Sequence, residues 1–146
     1  MRRRPRACAG AWDVARIRAL LDTDLIIWFL RGREHARRWI HELSKAGVPS
    51  CSALSVTEVT AGMRPSEEAD TKAFLRALDV IPVDREIAWR AGALIGEYGR
   101  RGITLDFVDA TIAATCLRRK VSLATYNVKH YPMPSLRKVG VPSSEG

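Results

Sequence analysis

At 146 residues, 47% of them hydrophobic, the chain is long enough to bury one substantial core, and no Pro-, Gly- or Ser-rich linker divides it into more than one domain. Lys and Arg outnumber Asp and Glu by 24 to 16, a formal charge of +8 that suits a polyanionic partner, nucleic acid first among them, and also serves plain solubility. Cys8, Cys51 and Cys116 are odd in number and lack zinc-site spacing, which argues against a disulfide framework and for reduced thiols in a cytoplasmic protein.

The opening MRRRPRACAGAW is basic, but the apolar stretch after it is too short for a signal-peptide core, and LIIWFL falls far short of a membrane span. No membrane association is expected. Residues 1–16 read as a basic flexible extension, 17–140 as the folded domain and 141–146 as a flexible tail. The compact apolar run IRALLD, residues 17–22, suits a central strand buried on both faces. Thr23 and Asp24 then cap a short helix carrying Leu25, Ile26, Trp28, Phe29 and Leu30, which Arg31 and Gly32 end. Residues 34–47 form an amphipathic helix with Ala36, Trp39, Ile40 and Leu43 inward.

VPSCSAL follows as a strand, and Ser55 opens a helix in which Ser55 and Glu58 stand in capping-box spacing. A further helix covers residues 66–78 and a strand 80–84. Residues 86–101 place Ile87, Ala91, Leu94, Ile95 and Tyr98 at helical spacing, with Gly102 after the end. The last helix spans 106–119, and SLAT, residues 122–125, is expected to be the final core strand. Such alternation predicts an α/β fold, a three-layer α/β/α sandwich around a parallel sheet.

Ligands of parallel sheets bind beyond the carboxyl ends of the strands. Asp22 closes the first strand, Glu58 lies in the first turn after the second, Asp109 sits early in the last helix, and Thr125 and Asn127 leave the last strand. Carboxylates gathered in one cleft repel, and a hard divalent cation such as Mg²⁺ or Mn²⁺ relieves them. Each residue also has a plainer use. Glu58 would serve Ser55 as a cap partner, Asp24 would cap or face solvent, and Thr125 with Asn127 would make a turn. His35, His41 and His130 share no ligand spacing, and Arg118, Arg119 and Lys120 suit a solvated helix end.

The segments LLDTDLIIWFL, SALSVTEVTAG and DFVDATIAATCLRRKVSLATYNVKHY, in this order, resemble the PIN-domain ribonucleases, specifically the VapC toxins of toxin–antitoxin pairs. The likeness runs from about residue 19 to about 139. It implies a PIN-like fold, with Asp22, Glu58 and Asp109 at the family's three acidic positions and Asn127 at a fourth that is often Asp and often Asn. It further implies Mg²⁺- or Mn²⁺-dependent hydrolysis of RNA, a cognate antitoxin and a homodimer. Asp22 and Asp109 are expected to hold the metal, Glu58 to bind it or take a proton from the attacking water, and Thr125 with Asn127 to orient waters. Tyr126 stands where a basic residue is common in similar sequences, and Tyr131 where Phe is common.

The sequence leaves two alternatives open. Asp22-Thr23-Asp24 superficially suits a haloacid-dehalogenase-like phosphatase with Asp22 as nucleophile, and the same fold also serves as a non-catalytic nucleic-acid-binding module. Of the two acids in LDFVDA, Asp109 is the expected ligand and Asp106 the helix cap. Leu25, Ile26, Trp28, Phe29 and Leu30 offer more apolar surface than one short helix readily buries, which suggests a groove for a partner helix.

Overall fold

Alternation of short apolar strands with longer helices produces a five-stranded, all-parallel sheet in the computed structural model, which describes residues 17–142. The expected extension at 1–16 lies outside the described residues, as do residues 143–146 of the expected tail. The strands are β1 (Ala19–Leu21), β2 (Ser50–Ser52), β3 (Asp79–Ile81), β4 (Ser122–Thr125) and β5 (Lys138–Gly140), arranged β3-β2-β1-β4-β5. Between them run α1 (Thr23–Leu30), α2 (Glu34–Leu43), α3 (Ala53–Gly62), α4 (Glu68–Ala77), α5 (Arg85–Arg100) and α6 (Phe107–Arg119).

Successive strand residues point to opposite faces, so the sheet divides the core in two. Leu20 and Leu123 face α5 and α6 together with Ile87, Leu94, Ile112 and Met133. Ala19, Leu21 and Ala124 face the other way, toward Leu25, Ile26, Ile40, Val59 and Leu75 from α1 to α4. Both faces are covered, which is why β1 reads as an unbroken apolar run rather than an alternating one.

Several local expectations are corrected. Thr23 and Asp24 do not cap α1; Asp22 does, its Oδ1 accepting from the Thr23 N–H at 2.9 Å. Ser55 does not start α3. Pairing of β2 with β3 ends at Ser52 opposite Ile81, and Ser52 caps the helix by accepting from the Leu54 N–H, so Ser55 lies within the first turn, fully buried. The strand at 122–125 is not the last, because Lys138–Gly140 pairs with it in parallel and adds an edge strand. Val141, assigned to the tail on sequence, is 4% exposed, and its N–H donates to the Thr125 carbonyl. The strand expected at 80–84 runs instead from Asp79 to Ile81, which leaves Asp84 to cap α5, whereas Gly102 ends that helix as expected, with the positive φ of +77° that an L-residue would resist.

The chain moves outward from β1 to β2 and β3, then returns to place β4 on the other side of β1. That reversal opens a crevice beyond the carboxyl ends of β1 and β4, and Asp22 and Thr125 sit at its mouth.

Candidate active site

Asp22 is the residue immediately beyond β1, held in register by its backbone N–H, which donates to the Ala124 carbonyl of β4 at 2.9 Å. The side chain is 6% exposed and still fully served by hydrogen bonds. Oδ1 takes the Thr23 N–H, while Oδ2 accepts from Thr125 Oγ1 at 2.7 Å and from the Tyr131 hydroxyl at 3.0 Å. Thr125 Oγ1 in turn accepts from the Asn127 N–H at 2.9 Å, so the turn after β4 fixes the hydroxyl that fixes the carboxylate.

Asp109 arrives from the first turn of α6. Asp106 caps that helix, its Oδ2 accepting from the N–H groups of Val108 and Asp109 at 3.1 and 3.3 Å, which leaves the Asp109 side chain to lean back toward the strand ends. There its Oδ1 lies 3.2 Å from the Tyr131 hydroxyl, and Oδ2 lies 3.8 Å from His130 Nδ1. Tyr131 is thus wedged, fully buried, between the two carboxylates. Burial above all, and then the charges of Asp22 and Asp109, hold the phenol proton far above its ordinary range. A phenol brings one proton to two acceptors, so it can satisfy only one of the two carboxylates at a time.

Burial and like charge govern the electrostatics of the pair. Burial raises the Asp22 carboxyl above its ordinary value against the lowering effect of its hydrogen bonds. For Asp109, burial first and the Asp22 charge second push the carboxyl up to about 6. Two desolvated carboxylates facing one hydroxyl form an all-oxygen donor set of the kind that hard divalent cations bind.

Glu58 reaches the site differently. Its Oε1 accepts from Thr23 Oγ1 at 2.7 Å, and that hydroxyl also lies 2.8 Å from Ser55 Oγ. Since the threonine proton goes to the carboxylate, Ser55 donates to Thr23. The capping-box role for Glu58 is therefore replaced by a relay in which buried Ser55 and Thr23 aim an exposed carboxylate. Asn127 does not touch Asp22 or Asp109 through its side chain; Nδ2 donates to Asp24 Oδ2 at 2.9 Å on the exposed rim. Among the described residues, no group of three or more His, Cys, Asp or Glu side chains stands close enough to hold a metal ion. The donor chemistry fits at the Asp22–Asp109 pair, and Glu58 stands off it across Thr23.

Sequence reasoning did not find the Tyr131 bridge, the Thr23–Ser55 relay or the proximity of His130 to Asp109. Thr23 was read as a helix cap, and Tyr131 only as a position where Phe is common in similar sequences. Cys51 and Cys116 are buried free thiols, and burial pushes Cys51 up to about 11 and raises Cys116 as well; Cys8 lies outside the described residues. The apolar helix is partly accounted for by the core. Leu25 and Ile26 are fully buried and Phe29 stacks on Phe74 at 4.2 Å, while Ile27 and Leu30 line a groove of about 560 Å³ shared with Glu58, Val59 and Met63.

The PIN domain family model matches residues 19–134. Ribonuclease VapC10 of Mycobacterium tuberculosis is 37% identical over 114 residues, covering 78% of this chain and 86% of the relative. Ribonuclease VapC19 of the same organism is 36% identical over 115 residues, covering 78% and 92%. Among solved structures, a toxin–antitoxin complex from Klebsiella pneumoniae superposes with a TM-score of 0.70 at 28% identity, over 81% of this chain and 94% of that one. VapBC2 from Rickettsia felis, bound to a DNA fragment from its promoter, shares the fold with a TM-score of 0.77 at 18% identity, over 85% and 98%.

Proposed function

Since this chain belongs to the PIN-domain family and, within it, to the VapC ribonuclease toxins, we propose that it is a Mg²⁺- or Mn²⁺-dependent endoribonuclease that hydrolyses phosphodiester bonds at Asp22, Glu58 and Asp109. The observation that carries this reading is the convergence of Asp22 and Asp109 on one buried hydroxyl at the carboxyl edge of β1 and β4.

Asp22 and Asp109 would hold the cation. When bound, it supplies charge neutralisation at the phosphate and a more acidic water for the attack. Thr125, Tyr131 and the Thr23 N–H fix the Asp22 carboxylate in one orientation, so little reorganisation is left for the reaction itself. Glu58, aimed by Thr23, is exposed at the rim and takes the proton of the attacking water. Asn127 and Thr125, joined in one turn, would orient waters at the site, and the chain's +8 charge gathers RNA, single-stranded or looped rather than regular duplex.

A cognate antitoxin is the proposed protein partner, in line with the toxin–antitoxin complex among the structural relatives. A segment of it seated in the groove between α1 and α3 would reach Glu58. We place the activity in the cytoplasm and the chain in a homodimer; no helix among the described residues is long and apolar enough to cross a membrane. Neither the phosphatase alternative nor the binding-module alternative finds support in relatives named ribonucleases.

Incubating the purified chain with RNA under Mg²⁺, Mn²⁺ and EDTA tests the proposal. Cleavage is expected with either cation, absent with EDTA and absent in Asp22→Asn. Cleavage that persists in EDTA would overturn the metal assignment, and release of phosphate from a small monoester without RNA cleavage would revive the phosphatase.

A further inference from the structure

The turn joining α1 to α2 and the first part of α2 are basic. Residues 31–41 carry Arg31, Arg33, Arg37 and Arg38 against a single acid, Glu34, and all five side chains are exposed. Two guanidinium groups close on one indole: Arg33 lies 5.0 Å and Arg31 5.8 Å from the Trp28 ring centre. Arg37 lies 6.0 Å from the Phe29 ring. None of Arg31, Arg33 and Arg37 pairs with a carboxylate among the described residues. A guanidinium within about 6 Å of a ring is attracted by its face and still has N–H groups to offer, in the planar fork that suits a phosphate.

Two long-range hydrogen bonds fix this turn to the rim that carries the acids. Asn127 Nδ2 donates to Asp24 in the first turn of α1, and His35 Nδ1 of α2 lies 2.7 Å from the Tyr126 hydroxyl at the exit of β4. Arg31 lies nine positions after Asp22, about 13 Å along a helix axis. Arg31 also lines the groove that holds Glu58, so the arginines lie beside the acids but segregated from them. A polyanion is repelled by the first group until a cation is present and attracted by the second throughout.

We propose that the α1–α2 turn, with Arg31 and Arg33 braced on Trp28, is the docking surface for the phosphates of the RNA strand a few nucleotides from the bond that is cut. The inference rests on the ribonuclease reading and deepens it by assigning the path of the substrate. The brace explains why arginine rather than lysine stands here. A pre-positioned guanidinium loses less side-chain freedom on meeting phosphate.

Binding of a fluorescent single-stranded RNA oligonucleotide to the full chain, measured in EDTA where the proposed chemistry is silent, tests this apart from catalysis. Arg31→Gln with Arg33→Gln should weaken binding at least about tenfold and flatten the salt dependence by about 1.4, the contribution of two phosphate contacts to a single strand. Arg118→Gln with Arg119→Gln removes the same charge from the exposed C-terminal end of α6 and should change affinity less than about twofold. Arg31→Lys with Arg33→Lys should keep the salt slope and recover only part of the affinity. Equal losses in the two glutamine pairs would show that net charge alone acts, and an unchanged Arg31/Arg33 variant, or no binding by the parent chain, would overturn the proposal. Full recovery by lysine would remove the brace. Absence of metal-dependent cleavage in the parent chain would instead refute the ribonuclease reading and leave the binding result standing.

Discussion

Tyr131 donates its hydroxyl to Asp22 across 109 positions of sequence, and the same oxygen lies 3.2 Å from Asp109. One proton thus serves two carboxylates that would otherwise face each other unscreened. The ring belongs to the core between β1, α5 and α6, whereas the hydroxyl belongs to the site.

Tyr131→Phe separates these two roles. The ring stays packed, and the variant should lose about 1 kcal/mol of stability in EDTA, the net worth of a buried hydrogen bond. Saturating Mg²⁺ should bring the two proteins together, because the cation supplies the screening that the hydroxyl supplied. Thermal unfolding in EDTA and in Mg²⁺ gives the comparison, and a deficit of the same size in both would mean that the hydroxyl acts on folding alone.

The pH dependence follows from Asp109. Its carboxyl is pushed up to about 6 in the folded protein by burial and by Asp22, against about 3.9 in an unfolded chain. A folded-state value above the unfolded one means that the protonated form is favoured on folding. The contribution is fully present below about pH 4 and is lost as pH rises to about 6. Wild type should therefore lose stability relative to Asp109→Asn between those limits in EDTA, then run parallel to it above. Mg²⁺ at pH 7.5 should restore the loss in wild type only. A difference between the two melting curves that ignores pH would show that Asp109 is not desolvated in solution.

The parts of the fold and site that were legible in sequence share one property: each is announced within a few residues. Asp22 follows an apolar strand, Asp106 and Asp109 stand three apart at a helix start, and Gly102 ends α5. The α3 boundary was misplaced because Ser52 and Ser55 are both followed by helix-compatible residues, and only the pairing of Ser52 with Ile81 decides between them. β5 has three residues and no alternation to speak of, so it exists through its ladder with β4. Tyr131 was invisible for the same reason. Its position depends on how residues 126–136 fold back over the sheet edge, and no local pattern encodes that.

Glu58 offers a test of which helix start is functional. If Glu58 served as a cap partner, its removal would destabilise α3, but the helix begins at Ser52 and Glu58 is exposed and aimed by Thr23. Glu58→Gln should leave the melting temperature unchanged and lower cleavage by at least about a hundredfold, the range of a lost general base. Ser52→Ala should do the opposite, costing about 1 kcal/mol with cleavage largely kept. Unfolding curves and cleavage rates of both variants distinguish the assignments, and a destabilised but active Glu58→Gln would return that residue to a capping role.

Asp106 and Asp109 make the sharpest comparison, because they lie one turn apart on the same helix and carry the same charge. Asp106 is spent on the backbone: its Oδ2 accepts two N–H groups of α6 that have no partner within the helix. Asp109 gives nothing to the backbone, and its carboxylate faces Tyr131 and, beyond it, Asp22. Asp106→Ala should therefore cost about 1 kcal/mol of stability and reduce cleavage only in part. Asp109→Ala should abolish cleavage and leave the protein as stable as wild type in EDTA, or more so, since one of two repelling acids is gone. Cleavage rates, unfolding midpoints and calorimetric Mg²⁺ binding on the two variants side by side decide the matter. A well-folded Asp109→Ala protein that still cuts RNA would refute the assignment of the metal to this pair.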